Sequence, residues 1–180
     1  MSQTPVSSHF KCGLIAIVGR PNVGKSTLLN RIVGQKISIT SRKAQTTRHR
    51  VMGIHTTDEA QFVFVDTPGF QTRHTSTMNR AMNKRVRETL SDTDVVMMLV
   101  EAGRLTKEDR QVMELLPKDR PLILVVNKID YEKDRGALMA YLREVSEAHA
   151  FTEIVPVSAK QGSNLDELLK TLQTHLPENQ

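Results

Sequence analysis

Three short stretches of the chain are almost wholly apolar. They are Leu14–Gly19 (LIAIVG), Asp94–Val100, which ends in VVMMLV, and Leu122–Asn127 (LILVVN). Runs of this length without polar alternation predict strands buried on both faces, as in a parallel sheet. Val51–Thr56 and Gln61–Asp66 read as two further strands with DEA at the turn between them, and Glu153–Val157 as a short last one. Helices are predicted over 25–33, closed by Gly34 as a C-cap, and over 77–90, 107–116 and 135–149. A final helix carries Leu165, Leu168, Leu169, Leu172 and Leu176 at helical spacing, a core stripe, with Asn164 and Glu167 as an expected capping box. Residues 35–50 are polar, basic and without periodicity, which is long for a loop in a compact domain and points to function.

Alternating buried strands and helices imply an α/β fold with a mostly parallel sheet and helices on both faces. Ligands of such sheets bind beyond the carboxyl ends of the strands. The loops to inspect therefore begin at Gly19, Asp66, Glu101, Asn127 and Ser158. A length of 180 residues suits one domain, expected to span 12–177 between a loose terminus (1–11) and a short tail (178–180).

Composition narrows the class. With 38% hydrophobic and 25% charged residues the chain can build an ordinary core. One cysteine, Cys12, cannot make a disulfide framework and reads as a packing residue, as do Met97 and Met98 within their strand. The six histidines show no metal-ligand spacing. No apolar run reaches the ~20 residues of a membrane span, and the first eleven residues do not resemble a secretory signal. A cytoplasmic setting is the expectation. The net charge of +5 is unevenly spread, because residues 1–57 hold nine Lys or Arg and no acid. Such a field attracts phosphates, on a nucleotide or on a nucleic acid.

The chemistry-bearing motifs fall at the predicted strand ends. Gly19-Arg20-Pro21-Asn22-Val23-Gly24-Lys25-Ser26 matches G-x-x-x-x-G-K-[ST] between a strand and a helix. Its glycines let backbone N–H groups close round phosphate oxygens at a helix N-terminus. Lys25 is expected at the β- and γ-phosphates, Ser26 on Mg²⁺ and Thr27 near the α-phosphate. Asp66-Thr67-Pro68-Gly69 follows a strand. Its carboxylate can hold Mg²⁺, and the Gly69 N–H can meet a γ-phosphate. In Asn127-Lys128-Ile129-Asp130, the Asp130 carboxylate can accept from N1–H and the 2-amino group of guanine, which adenine cannot match. Asn127 would brace the site or meet the base edge, and the Lys128 stem can lie over the purine. Ser158-Ala159-Lys160 can offer a backbone N–H to guanine O6. In the long basic loop Thr47, favoured over Thr46, can give its hydroxyl to Mg²⁺ and its N–H to the γ-phosphate.

These motifs in this order resemble a translation-factor-type GTPase domain, a P-loop fold of the Ras-like kind. The finer wording, GRPNVGKSTLLNRIVGQKISITSRKAQTTRHRVMGIHT with DTPGF, NKID and SAK, resembles the Era family of bacterial GTPases over essentially the whole chain. The resemblance implies GTP and GDP binding with Mg²⁺, slow GTP hydrolysis, and a part in small-ribosomal-subunit assembly through ribosomal RNA. Peripheral association with the inner membrane is also implied. It assigns residues 45–49 to the first switch, with Thr47 on the metal, and 66–69 to the second. Era proteins continue into an RNA-binding KH domain, whereas this chain ends at Gln180 without a G-x-x-G clamp, so the RNA-binding half is expected to be absent and the isolated domain monomeric.

Phe70 stands where Ras-like enzymes place a water-orienting glutamine, with Gln71 one residue off, so slow turnover is expected. Arg48, Arg73 and Arg104 are conceivable catalytic arginines, though each also reads as a solvated surface residue. Asn22 has two readings: a ligand for K⁺ near the phosphates, or a turn residue. Two other functions compete with a GTPase switch. An RNA-docking module is favoured by the acid-free segment, and an ATP-using P-loop kinase is disfavoured by Asp130.

Overall fold

The computed structural model describes residues 9–34, 49–67 and 80–178, with the side chains of 80–82 excepted. Strand β1 (Lys11–Val18) leads through the first glycine-rich loop into α1 (Lys25–Val33). Next come β2 (Val51–Thr56), β3 (Ala60–Asp66), α2 (Arg80–Ser91), β4 (Val95–Glu101) and α3 (Lys107–Glu114). Then follow β5 (Leu122–Asn127), a 3-10 turn over Ile129–Tyr131, α4 (Arg135–Ala148), β6 (Glu153–Pro156) and α5 (Leu165–His175). The sheet order is β2-β3-β1-β4-β5-β6. Every pairing is parallel except β2 with β3. The predicted mostly parallel α/β sheet, a P-loop fold of the Ras-like kind, is the one observed.

The apolar runs alternate between the two faces, and each face is covered. Ile15, Ile17, Phe62, Phe64, Met97, Leu99 and Ile123 pack against α1 and α5 through Leu28, Leu29, Ile32, Leu168 and Leu172. Leu14, Ala16, Val63, Val65, Met98 and Leu124 pack against α2, α3 and α4 through Val86, Leu90, Val112, Met113, Tyr141 and Val145. Neighbouring Met97 and Met98 therefore enter opposite halves of the core, as a strand's two-residue period requires. The central strand β1 lies between β3 and β4 and ends in the glycine-rich loop.

Several expectations change, among them that α3 ends at Glu114 rather than Leu116 and β6 at Pro156 rather than Val157. β1 begins at Lys11 rather than Leu14, because Lys11 already pairs with Ala60 and its N–H donates to the Glu59 carbonyl at 3.0 Å. The turn of the β2–β3 hairpin is correspondingly Thr57–Glu59, with Ala60 in the strand. The capping box at α5 does not form. Asn164 is left-handed (φ 64) and makes no side-chain cap. Its Nδ2 donates instead to the Pro156 carbonyl at 2.8 Å, tying the helix start to the end of β6. The leucine stripe behind it is core, as expected.

The far end of β1 is tied to the segment after α5. The Cys12 N–H donates to the Pro177 carbonyl at 3.1 Å, and Lys11 bridges to Glu178. The Lys11 ammonium donates to the Gln173 carbonyl in the last turn of α5, at 3.2 Å. Among the described residues no helix is long and apolar enough to cross a membrane.

Candidate functional site

The carboxyl ends of β1, β3, β4 and β5, with the turn after β6, bring four of the predicted motifs to one edge of the sheet. The phosphate-type loop is shaped by close contacts. A Cβ on Gly19 would stand 2.9 Å from the Leu99 carbonyl. Gly24 adopts φ 101, and a Cβ there would collide with Asn127 Nδ2. Glycine at 24 is thus required twice, by its left-handed backbone and by the base-side loop pressed against it. Val23 is buried beneath the loop, while Pro21, Asn22, Ser26 and Thr27 are exposed. Asn22 is also left-handed (φ 69).

Lys25 opens α1, and its ammonium curls back to donate to the Gly19 carbonyl at 3.1 Å. Burial pushes its pKa below the ordinary lysine value, and the nearby Asp66 carboxylate partly opposes this. Asp66 ends β3 opposite Ile17 in register and is buried. The Thr67 hydroxyl donates to the Ile17 carbonyl at 2.8 Å, so it serves as a strut between β3 and β1. Arg20 also turns away from its loop, with Nη2 on Glu101 at 3.0 Å and Nε 3.3 Å from Asp109.

On the other side of the site Asn127 is spent at both ends of its amide. Nδ2 donates to the Val23 carbonyl at 2.9 Å, and Oδ1 accepts from the Ala159 N–H at 3.0 Å. Of the two roles open to it, bracing is the one observed. It joins three loops that are far apart in sequence. Lys128 is left-handed (φ 64) and donates from Nζ to the Asn22 carbonyl at 2.8 Å. Asp130, in the 3-10 turn, accepts from the Ser158 hydroxyl at 2.8 Å through Oδ1. The Ser158 hydroxyl also accepts from the Gln161 N–H at 3.2 Å. The exposed Lys160 sits over the Tyr131 ring, 5.8 Å from its centroid, and its carbonyl accepts from Arg31 of α1.

Thr46, Thr47, Arg48, Pro68, Gly69, Phe70, Gln71 and Arg73 lie outside the described residues. Glu101, Asp109 and Arg31 were not singled out as site residues from the sequence. Glu101 had a signal: a lone charge closing a buried apolar strand, as Asp66 and Asn127 close theirs. Asp109 and Arg31 had none, since each reaches the site from a helix.

A sequence model described as 50S ribosome-binding GTPase matches residues 14–128. The chain belongs to that GTPase family. It is 58% identical to GTPase Era of Chromobacterium violaceum over 179 residues, 99% of this chain and 59% of that protein. Among solved structures it resembles an Aquifex aeolicus Era variant bound to GDP·AlF4⁻, with TM-score 0.75 and 41% identity, covering 95% of this chain and 59% of that one. It also resembles Era in complex with MgGDPNP and nucleotides 1506–1542 of 16S ribosomal RNA. There the TM-score is 0.74 and the identity 40%, over 96% of this chain and 59% of that one. The likeness to the Era family expected from the motifs is borne out. The chain spans about three fifths of the length of these relatives.

Proposed function

We propose that this chain is the guanine-nucleotide switch of an Era-type protein, hydrolysing GTP to GDP and phosphate in the cytoplasm. The observation that carries the reading is Asp130. One of its oxygens is held by Ser158, which orients the carboxylate, and the loop beneath it is braced to the phosphate loop through Asn127. An oriented acceptor at that place suits the N1–H and 2-amino donors of guanine. A site built around such donors rejects a base lacking them by factors that can reach ~10⁴–10⁵. The same feature disfavours an ATP-using kinase.

The residues fit a triphosphate. Gly19–Thr27 lead from the end of β1 into the N-terminus of α1, a backbone arrangement suited to anions. Lys25 is desolvated and, among the described residues, donates to the Gly19 carbonyl, a bond it can exchange for phosphate oxygen. Asn127, Lys128 and Asp130 form the base side, with a backbone N–H of Ser158–Lys160 for O6. Among the described residues no group of three or more His, Cys, Asp or Glu could hold a metal by itself. Ser26 and Asp66 are hard oxygen donors, and so few of them suit Mg²⁺, which keeps water and phosphate ligands. Thr47 would add a third donor. Bound there, Mg²⁺ would neutralise charge on the β- and γ-phosphates.

Hydrolysis needs an aligned water and stabilised charge rather than covalent catalysis. Lys25 and the loop N–H groups stabilise the charge, and Gly69 would add its N–H at the γ-phosphate. Phe70, in place of a glutamine, cannot align the water, which would be oriented by backbone or by a group supplied later, so turnover would be slow. Asn22 is the candidate for holding K⁺ beside the phosphates. As part of a longer protein the domain would act with small-subunit ribosomal RNA, as the Era–rRNA complex suggests.

Single-turnover hydrolysis of GTP and ATP, in matched K⁺ and Na⁺ buffers with Mg²⁺, tests the reading. Slow turnover of GTP alone is expected, faster in K⁺, with the K⁺ response lost in Asn22→Ala. Equal use of ATP would overturn the guanine assignment, and an unaltered K⁺ response in Asn22→Ala would remove the cation site.

A further inference from the structure

Arg20 is the second residue of the phosphate loop, yet its guanidinium lies against the start of α3. Nη2 donates to Glu101 Oε2 at 3.0 Å, and Nε faces Asp109 at 3.3 Å. Asp109 is completely buried and is fixed in turn by α3's capping box. It accepts from the Thr106 N–H at 2.9 Å, while its own N–H donates to the Thr106 hydroxyl at 3.1 Å.

The Glu101 oxygen that meets Arg20 also lies 3.7 Å from Lys128 Nζ. One carboxylate therefore faces two cations, one from the phosphate loop and one from the base loop. Its own backbone is fixed, since Glu101 is the register partner of Asn127 and the Ala102 N–H donates to the Asn127 carbonyl at 2.8 Å. The Glu101 and Lys128 side chains are each 28% exposed and Arg20 12%, so solvent screens them less than a surface pair. Two acids stand against two bases, and the cluster is balanced.

A lysine stem has four rotatable bonds, and freezing it on binding subtracts from affinity. Lys128 is already held from two directions, by the Asn22 carbonyl and by Glu101. We propose that Glu101 is a positioning residue for guanine nucleotide, presetting the Lys128 stem as a wall of the purine site while Arg20 locks the phosphate loop to α3. The inference rests on the guanine-nucleotide reading above. It also assigns Arg20 to the framework rather than to the reacting phosphate.

The variant to measure is Glu101→Gln, which keeps an acceptor for Arg20 and removes the charge facing Lys128. Dissociation rates of fluorescent GDP and IDP are compared in wild type, Glu101→Gln, Lys128→Met and the double variant, with melting temperature as the check on folding. Release from Glu101→Gln is expected to quicken about 5- to 10-fold, a coupling typical of neighbouring charged residues. The factor should be equal for GDP and IDP, which present the same face to the lysine stem and differ only in the 2-amino group that Asp130 reads. In the Lys128→Met background the Glu101 substitution should change release less than about twofold. Wild-type release from Glu101→Gln, or an equal effect with and without Lys128, would overturn the proposal. Wild-type protein that binds neither GDP nor IDP would instead overturn the guanine-nucleotide reading, and this inference with it.

Discussion

On the base side of the site, Asn127 has both ends of its amide engaged and Asp130 has a serine hydroxyl on one oxygen. On the phosphate side, Lys25 donates, among the described residues, to a carbonyl of its own loop, and Ser26 and Thr27 are exposed. The base side is a framework braced by hydrogen bonds within the chain. The phosphate side holds a desolvated cation with a replaceable partner, a group at its best only when an anion arrives. Recognition of the base can therefore be rigid while response to the phosphates is conditional, which is the division of labour a switch requires.

The largest test of that contrast is Asp130→Asn. Loss of the acceptor should lower GTP affinity about 10³-fold or more, and the new amide donor should raise affinity for xanthosine triphosphate, whose C2 carries an oxygen. Competition titrations with the two nucleotides read both changes, and unchanged preference would refute the role of Asp130. On the opposite side, Lys25→Met should slow hydrolysis about 10²- to 10³-fold, as removal of a preorganised charge donor does. The same variant should melt higher than wild type without nucleotide, since a poorly solvated charge is gone.

The lysine also makes stability depend on pH in a defined direction. Its folded-state pKa is lowered from 10.5, so in the window between the two values the unfolded chain binds more protons than the folded one. The contribution to stability therefore rises with pH across that window. Denaturation of the nucleotide-free protein at several alkaline pH values should show this slope in wild type and its loss in Lys25→Met.

Asn127→Ala should cost about 2–4 kcal/mol of folding stability, from two lost hydrogen bonds and the buried carbonyl and amide left behind. Thermal melts measure it. A cost below 1 kcal/mol would mean the base side is not the rigid half. The smallest effect belongs to Asn164→Gly. Glycine keeps the left-handed turn, and only the bond to Pro156 is lost, about 0.5–1.5 kcal/mol. The alanine variant should be worse because it also resists that backbone conformation.

The sheet was legible from sequence because its buried strands are unbroken apolar runs, and β5 was predicted to the residue. Four of the motifs were legible because each follows a predicted strand. Lys11 was not read as strand, since it gains that role only from Glu59 and Ala60, about fifty residues away. The strut made by Thr67 was equally hidden, because a hydroxyl's partner is set by the neighbouring strand. Asn164 looked like a helix cap, and a competing carbonyl at Pro156 took its side chain. Glu101 shows the same limit within the site: its charge was visible, but its partners Arg20 and Lys128 lie 81 and 27 residues away in the chain.

The bonds between Cys12 and Pro177, and between Lys11 and the last turn of α5, place the two described ends of the domain side by side. They meet at the amino end of β1, while the site stands at its carboxyl end. An eight-residue strand separates the two by roughly 25 Å. A segment leaving either described end would thus start on the side away from the candidate site. A short linker should join the ends into a ring, so that the chain could be reopened at a surface turn such as Lys118–Asp119 with its sheet intact.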